Sequence, residues 1–211
     1  MTRAPGQHAV VEQYRSGVRA IEETASQLDD TSWHRQACGE WTAEETARHV
    51  LTVAGWYHHW LDRALEGNSS VPFEAKDMDL HTAAALTGAG DLDGHAAVTR
   101  YVVSADRYAE RVLDHWDLPY GYPGGVVTAG LHLGVAATEW HIHAWDLSGP
   151  TGTRHRPEDP AGLFDAAASC VAASQRGVTG WAMSAAIPVG RRIKPWETLL
   201  RRTGRSPNVD D

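Results

Sequence analysis

The sequence predicts an all-α protein, an antiparallel helix bundle with a long crossover connection and a C-terminal helical extension. Several long stretches repeat their apolar residues every three or four positions, which is the period of one helical face. No segment sustains the apolar-polar alternation of a strand. Capping and stopping residues bracket the periodic stretches where helices should begin and end.

The first helix is expected over residues 8–28, with Val11, Tyr14, Val18, Ile21, Ala25 and Leu28 on its inner face. A loop with Trp33, Cys38 and Gly39 follows. Thr42 and Glu45 then form the pattern of a capping box, which predicts a second helix from about 43 to 66 that stops at Gly67. Between 68 and 94 the periodicity is broken by Pro72, Gly88 and Gly90, leaving a long crossover with one short helix near 80–87. The third long helix fits 95–116. A loop at 119–125 turns the chain into the fourth, 126–148, which is apolar nearly all round and should be enclosed by other helices. Gly149-Pro150 ends it. Asp159-Pro160, a cap followed by a first-turn proline, opens a fifth helix reaching Gly177, and a last turn or two is expected at 195–203. All 211 residues are read as one domain, with a core bundle at about 6–150 and an extension at about 151–211.

Composition narrows the function. A net charge of -8 offers little to nucleic acid or an anionic membrane surface, and the arginine pairs Arg191-Arg192 and Arg201-Arg202 come late. No apolar run approaches the roughly 20 residues of a membrane span, and residues 1–7 lack a signal-peptide core, so a cytoplasmic location is expected. Cys38 and Cys170 make no disulfide framework and read as reduced structural residues rather than nucleophiles. Nine tryptophans supply large rigid surfaces for a core or a pocket wall. They also suit a face buried in a homodimer, although no residue specifies one.

The chemistry concentrates in Thr138-Glu139-Trp140-His141-Ile142-His143-Ala144-Trp145-Asp146. Glu139 and His143 stand four apart, share one helical face and can grip one metal ion. His49, on the inner face of the second helix with Val53, Trp56 and Trp60, offers a third ligand. Two histidines and a glutamate form a set that holds catalytic zinc with an open position, and that also suits nickel, iron or manganese. Read alone, His49 equally fits a hydrogen-bonded core histidine, and Glu139 fits a salt bridge to Arg48 or Arg100. His132 lies on the face of Glu139 and His143 and competes as a ligand or pocket residue, whereas His141 points well around the helix. Asp146, three after His143, can accept a ring hydrogen bond. Trp56, Trp60 and Trp145 are candidate pocket walls, and His58-His59 read as pocket wall or surface.

Three blocks, Cys38-Gly39-Glu40-Trp41-Thr42 running on to His49, Glu139 through Leu147, and Pro195-Trp196-Glu197 with Thr203-Gly204-Arg205, resemble the DinB-like, mycothiol-dependent maleylpyruvate isomerase group of actinobacterial proteins. The order and spacing of the blocks carry the resemblance across most of the chain. It implies a DinB-like four-helix bundle binding a divalent metal, usually zinc, through His49, Glu139 and His143, with mycothiol as thiol cosubstrate. The expected chemistry is thiol S-transfer to an electrophilic small molecule or thiol-assisted isomerisation, since addition, rotation and loss of the thiol isomerise while retention gives a conjugate. Members that isomerise maleylpyruvate carry a further C-terminal domain, and about 60 residues follow the fourth helix here, which takes that reaction out of first place. A hydrolase using metal-activated water, and a non-catalytic metal- or ligand-binding bundle, are the alternatives.

Overall fold

A computed structural model describes residues 6–88, 90, 92–174 and 194–207. Its elements are α1 (Gln7–Ala25), α2 (Asp30–Trp33), β1 (Gln36–Cys38), β2 (Trp41–Thr42), α3 (Ala43–Leu65), α4 (Met78–Gly88), α5 (Gly94–Asp114), β3 (Pro119–Tyr122), β4 (Gly125–Thr128), α6 (Ala129–Ser148), α7 (Pro160–Ala173) and α8 (Pro195–Arg202). The fold is all-helical and DinB-like, with α1, α6, α3 and α5 packed as a ring in that order.

Local signals set the helix ends. The Thr42 hydroxyl accepts from the Glu45 N–H at 3.2 Å and Glu45 Oε2 accepts from the Thr42 N–H at 2.8 Å, so the capping box forms as expected and fixes the start of α3. Asp93, Thr128 and Asp159 cap α5, α6 and α7 in the same way. Gly67, at φ +84°, follows the end of α3.

Contacts between helices fix their directions. His49 sits beside His143 and, further along, Tyr57 beside His132, so α3 and α6 run antiparallel. Arg48 reaches the Leu92 carbonyl at the start of α5, while His58 meets the Ser104 carbonyl and Asp62 pairs with Arg111, so α3 and α5 run parallel. A parallel pair requires the chain to return the length of the bundle, and the crossover at 68–94 does this, carrying α4 with it.

Every residue of α6 except Leu131 is buried, because α1, α3 and α7 cover it on different sides. Two glycines let neighbours approach it closely: a Cβ on Gly17 of α1 would lie 2.8 Å from that of Trp140, and a Cβ on Gly134 would lie 2.5 Å from the Ala166 carbonyl oxygen of α7.

Two expectations change. The stretch at 119–128 is a β-hairpin pairing Pro119 with Thr128 and Tyr122 with Gly125, so α6 begins at Ala129 rather than at 126. Val126-Val127-Thr128 is β-branched and follows a Pro-Gly-Gly turn, which favours an extended backbone until the Thr128 cap. A smaller hairpin joins β1 to β2 within the segment expected to be a loop, turning at Gly39 with φ +55°. The expected end of the fifth helix at Gly177 and the pair Arg191-Arg192 lie outside the described residues. Among the described residues, no helix is long and apolar enough to cross a membrane.

Candidate metal centre and cavity

A cavity of about 390 Å³ runs lengthwise between α3 and α6. Its ends differ chemically. At one end are His49, Glu139 and His143 together with Cys38 and Trp41 from the first hairpin and Thr203 and Arg205 from beyond α8; at the other are Trp56, Trp60, Tyr122 and His132. The antiparallel pairing explains the arrangement, because the second turn of α3 meets the last turns of α6.

The rings of His49 and His143 have centroids 4.9 Å apart, and His143 Nε2 lies 3.8 Å from Glu139 Oε2. His143 Nδ1 lies 3.1 Å from Asp146 Oδ2. Asp146 in turn accepts from Arg205, whose Nη2 is 2.6 Å from Oδ2 and whose Nε is 3.1 Å from Oδ1. Burial alone would raise the Asp146 carboxyl, but the His143 and Arg205 hydrogen bonds and charges outweigh it and hold the group at about 2. The carboxylate therefore accepts the Nδ1 proton, which leaves the lone pair of His143 on Nε2, facing Glu139. The 3.8 Å gap is close to the separation of about 3.4 Å between two ligands of a tetrahedral ion with zinc-like bond lengths.

Two further observations fit a cation at this point. His49 Nδ1 is buried without a hydrogen-bond partner among the described residues, and burial, followed by the proximity of His143, keeps its ring neutral. Burial also pushes the Glu139 carboxyl up to about 8, against the pull of Arg205. A carboxyl raised above its unfolded value binds its proton more tightly in the folded chain, so its contribution to stability is present near pH 4.5 and is lost as pH rises through about 8. The metal-free protein should lose thermal stability from this group between those limits. Scanning calorimetry of wild type and Glu139→Gln checks this, and an equal pH slope in both would contradict it.

Among the described residues, the donors that lie within 4.8 Å of one another and so could hold an ion are Cys38, His143 and Asp146, a group that shares only His143 with the set expected from the sequence. Arg205 already stands there as a cation, donating to both Asp146 oxygens and to Cys38 Sγ at 3.2 Å. Burial, with Asp146 adding to it, pushes the Cys38 thiol up to about 12, so it stays protonated. With Arg205 seated among these donors, His49 and Glu139 lie on the other side of the His143 ring from Asp146.

Other predicted residues go to separate places. His132 lines the cavity, its Nδ1 3.0 Å from the Tyr108 hydroxyl, and burial pushes it down to about 3. Trp56 and Trp60 line the cavity with their rings stacked, 6.1 Å between centroids. Trp145 is not among the lining residues; its ring packs under the Arg154 guanidinium at 4.0 Å. His141 meets Ser16 and His155 on the α1 side of α6, and His59 is exposed. Arg48 pairs with Glu44, not Glu139. Cys170 is a buried thiol pushed up to about 12 by burial.

Arg205 is the residue that helix spacing does not reveal. Gly204, at φ +78°, ends α8 with its N–H on the Arg201 carbonyl and the Arg205 N–H on the Leu200 carbonyl at 2.8 Å. This left-handed stop turns the chain back so that Arg205 enters the site. Its only sequence signal is its place in the block Thr203-Gly204-Arg205.

Residues 14–148 match the family described as the mycothiol maleylpyruvate isomerase N-terminal domain. The chain belongs to that family. The matched span covers α3 and α6, and thus His49, Glu139, His143 and Asp146, but not Arg205. The fold is also similar to the crystal structure of the mycothiol-dependent maleylpyruvate isomerase, with a TM-score of 0.58 and 19% sequence identity. That likeness covers 70% of this chain and 63% of the other, so the chain spans less than two thirds of that protein's length. No curated protein matches the sequence. Members of the mycothiol maleylpyruvate isomerase N-terminal domain family thus share with this chain a helical domain, and here that domain has a polar end and an aromatic end to one cavity.

Proposed function

We propose that the protein is a zinc-dependent, mycothiol-using enzyme of the cytoplasm that transfers the thiol to an electrophilic small molecule or isomerises that molecule through transient addition. The convergence of His49, Glu139 and His143 at one end of a cavity, in a chain of this family, carries the reading. These three side chains would hold the ion. Bound there, zinc lowers the proton affinity of a thiol and so supplies a thiolate at neutral pH.

The chain's own residues prepare that end of the cavity. Asp146 fixes the His143 ring through Nδ1, and Arg205 keeps Asp146 ionised. Burial of Glu139 and His49 excludes bulk water, which strengthens each electrostatic contact. Cys38, held as a thiol, does not compete as a nucleophile.

The test is incubation of the zinc-loaded protein with mycothiol and a halobimane. A fluorescent conjugate should form only with both zinc and protein present, and Glu139→Gln should slow it at least about 100-fold. Absence of zinc-dependent conjugation across several electrophiles would overturn the reading.

A further inference from the structure

The apolar end of the cavity is the larger unexplained feature. On α3, His49, Val53, Trp56 and Trp60 follow one another at helical spacing, so Trp56 lies about 10 Å along the axis from His49. Phe73 packs edge-on to both tryptophans at 6.0 Å, and Met78 and Thr82 of α4 close the same end. Trp60 is buried, whereas Trp56 is half-buried and offers an open face. His132, at the far end of α6, is neutral.

None of the described residues lining this end carries a charge. Among the described residues lining the cavity, Arg205 is the only arginine or lysine, and it lies at the opposite end with Asp146 as its partner. On the function proposed above, the two charges of a divalent ion are matched by the Glu139 carboxylate and the thiolate of the cosubstrate. The described lining residues supply no further positive charge. A substrate carboxylate at the tryptophan end would be buried without a partner, at a cost of several kcal/mol.

We infer that this enzyme's substrates are neutral electrophiles with a planar aromatic or otherwise apolar group, seated against Trp56 and Trp60, and not di- or monocarboxylates. This rests on the thiol-transfer reading. The sulfur forms a bond to the electrophilic carbon, and either a halide leaves or a proton from solvent is taken up at the adjacent carbon.

Two enones that differ only in charge test it: 4-phenylbut-3-en-2-one and its para-carboxylate. Titration calorimetry of the metal-free protein, in which no open zinc position can take the carboxylate, should show the neutral enone binding at least about tenfold more tightly. Trp56→Ala should weaken the neutral enone by about tenfold while Trp56→Phe stays within about threefold of wild type. Met78→Lys, on the half-buried face of α4, should improve binding of the carboxylate by about tenfold. Equal or tighter binding of the carboxylate by wild type would overturn the inference, as would no binding of the neutral enone or indifference to both the Trp56 and Met78 changes. If binding follows the expected pattern but mycothiol is never conjugated, the substrate inference stands as a description of the cavity and the thiol-transfer reading fails.

Discussion

His49→Ala is expected to abolish stoichiometric metal binding while leaving a folded protein. His49 is held between the Trp41 and His143 rings, each with its centroid 4.9 Å away, and its ring is neutral, the form that ligates. Its Nδ1 finds no hydrogen-bond partner among the described residues. Removing the side chain forfeits packing, but it also removes an unpaired buried nitrogen that itself costs about 1–3 kcal/mol, so the two effects oppose each other in the metal-free chain. Affinity for zinc should fall by more than the roughly 100-fold that loss of an outer supporting group produces. Metal analysis after dialysis gives the ratio, and the rise in Tm on adding zinc gives an independent measure. A variant retaining one equivalent of zinc would remove His49 from the ligand set.

Arg205→Ala should have the largest effect on stability. Asp146 is almost wholly buried, and Arg205 is its sole ion-pair partner besides His143 among the described residues. Breaking a buried pair from one side typically costs about 3–5 kcal/mol. The direction with pH follows from the depressed carboxyl. Asp146 contributes stability above about pH 4, and that contribution disappears as pH falls towards about 2. Without Arg205 the carboxyl titrates higher, so acid unfolding should begin at higher pH and urea denaturation at pH 7 should show a lower midpoint. Arg205→Lys should rescue only in part, since one ammonium cannot donate to both Asp146 oxygens and Cys38 in the planar fork geometry. Wild-type acid and urea midpoints in Arg205→Ala would contradict this account.

The two outcomes probe parts of the site that differ in how far the sequence announces them. Glu139, His143 and Asp146 occupy one helix, so the separations of four and three translate directly into a shared face and a ring hydrogen bond. His49 follows from the period of α3, because its face also carries Val53, Trp56 and Trp60. Helix ends are legible where a cap is a local hydrogen bond, as at Thr42 and Asp159. Contacts made by returning loops are not. Arg205 meets Asp146 across 59 residues, and the apolar period of α6 says nothing of Arg154, which comes back over Trp145 and takes that ring away from the cavity. The hairpin at 119–128 is hidden because four-residue strands between helices give too short a pattern to separate from a helix start.

The left-handed stop at Gly204 has a consequence for synthesis. The Arg205 contact to Cys38 spans 167 residues, so a nascent chain that has already made all four bundle helices still lacks the cation beside Asp146. Such a chain can collapse, yet it holds the Asp146 carboxylate buried without its guanidinium partner. Docking of α8 delivers the guanidinium, so the order of events during translation separates chain collapse from the moment the Asp146 carboxylate gains its ion pair.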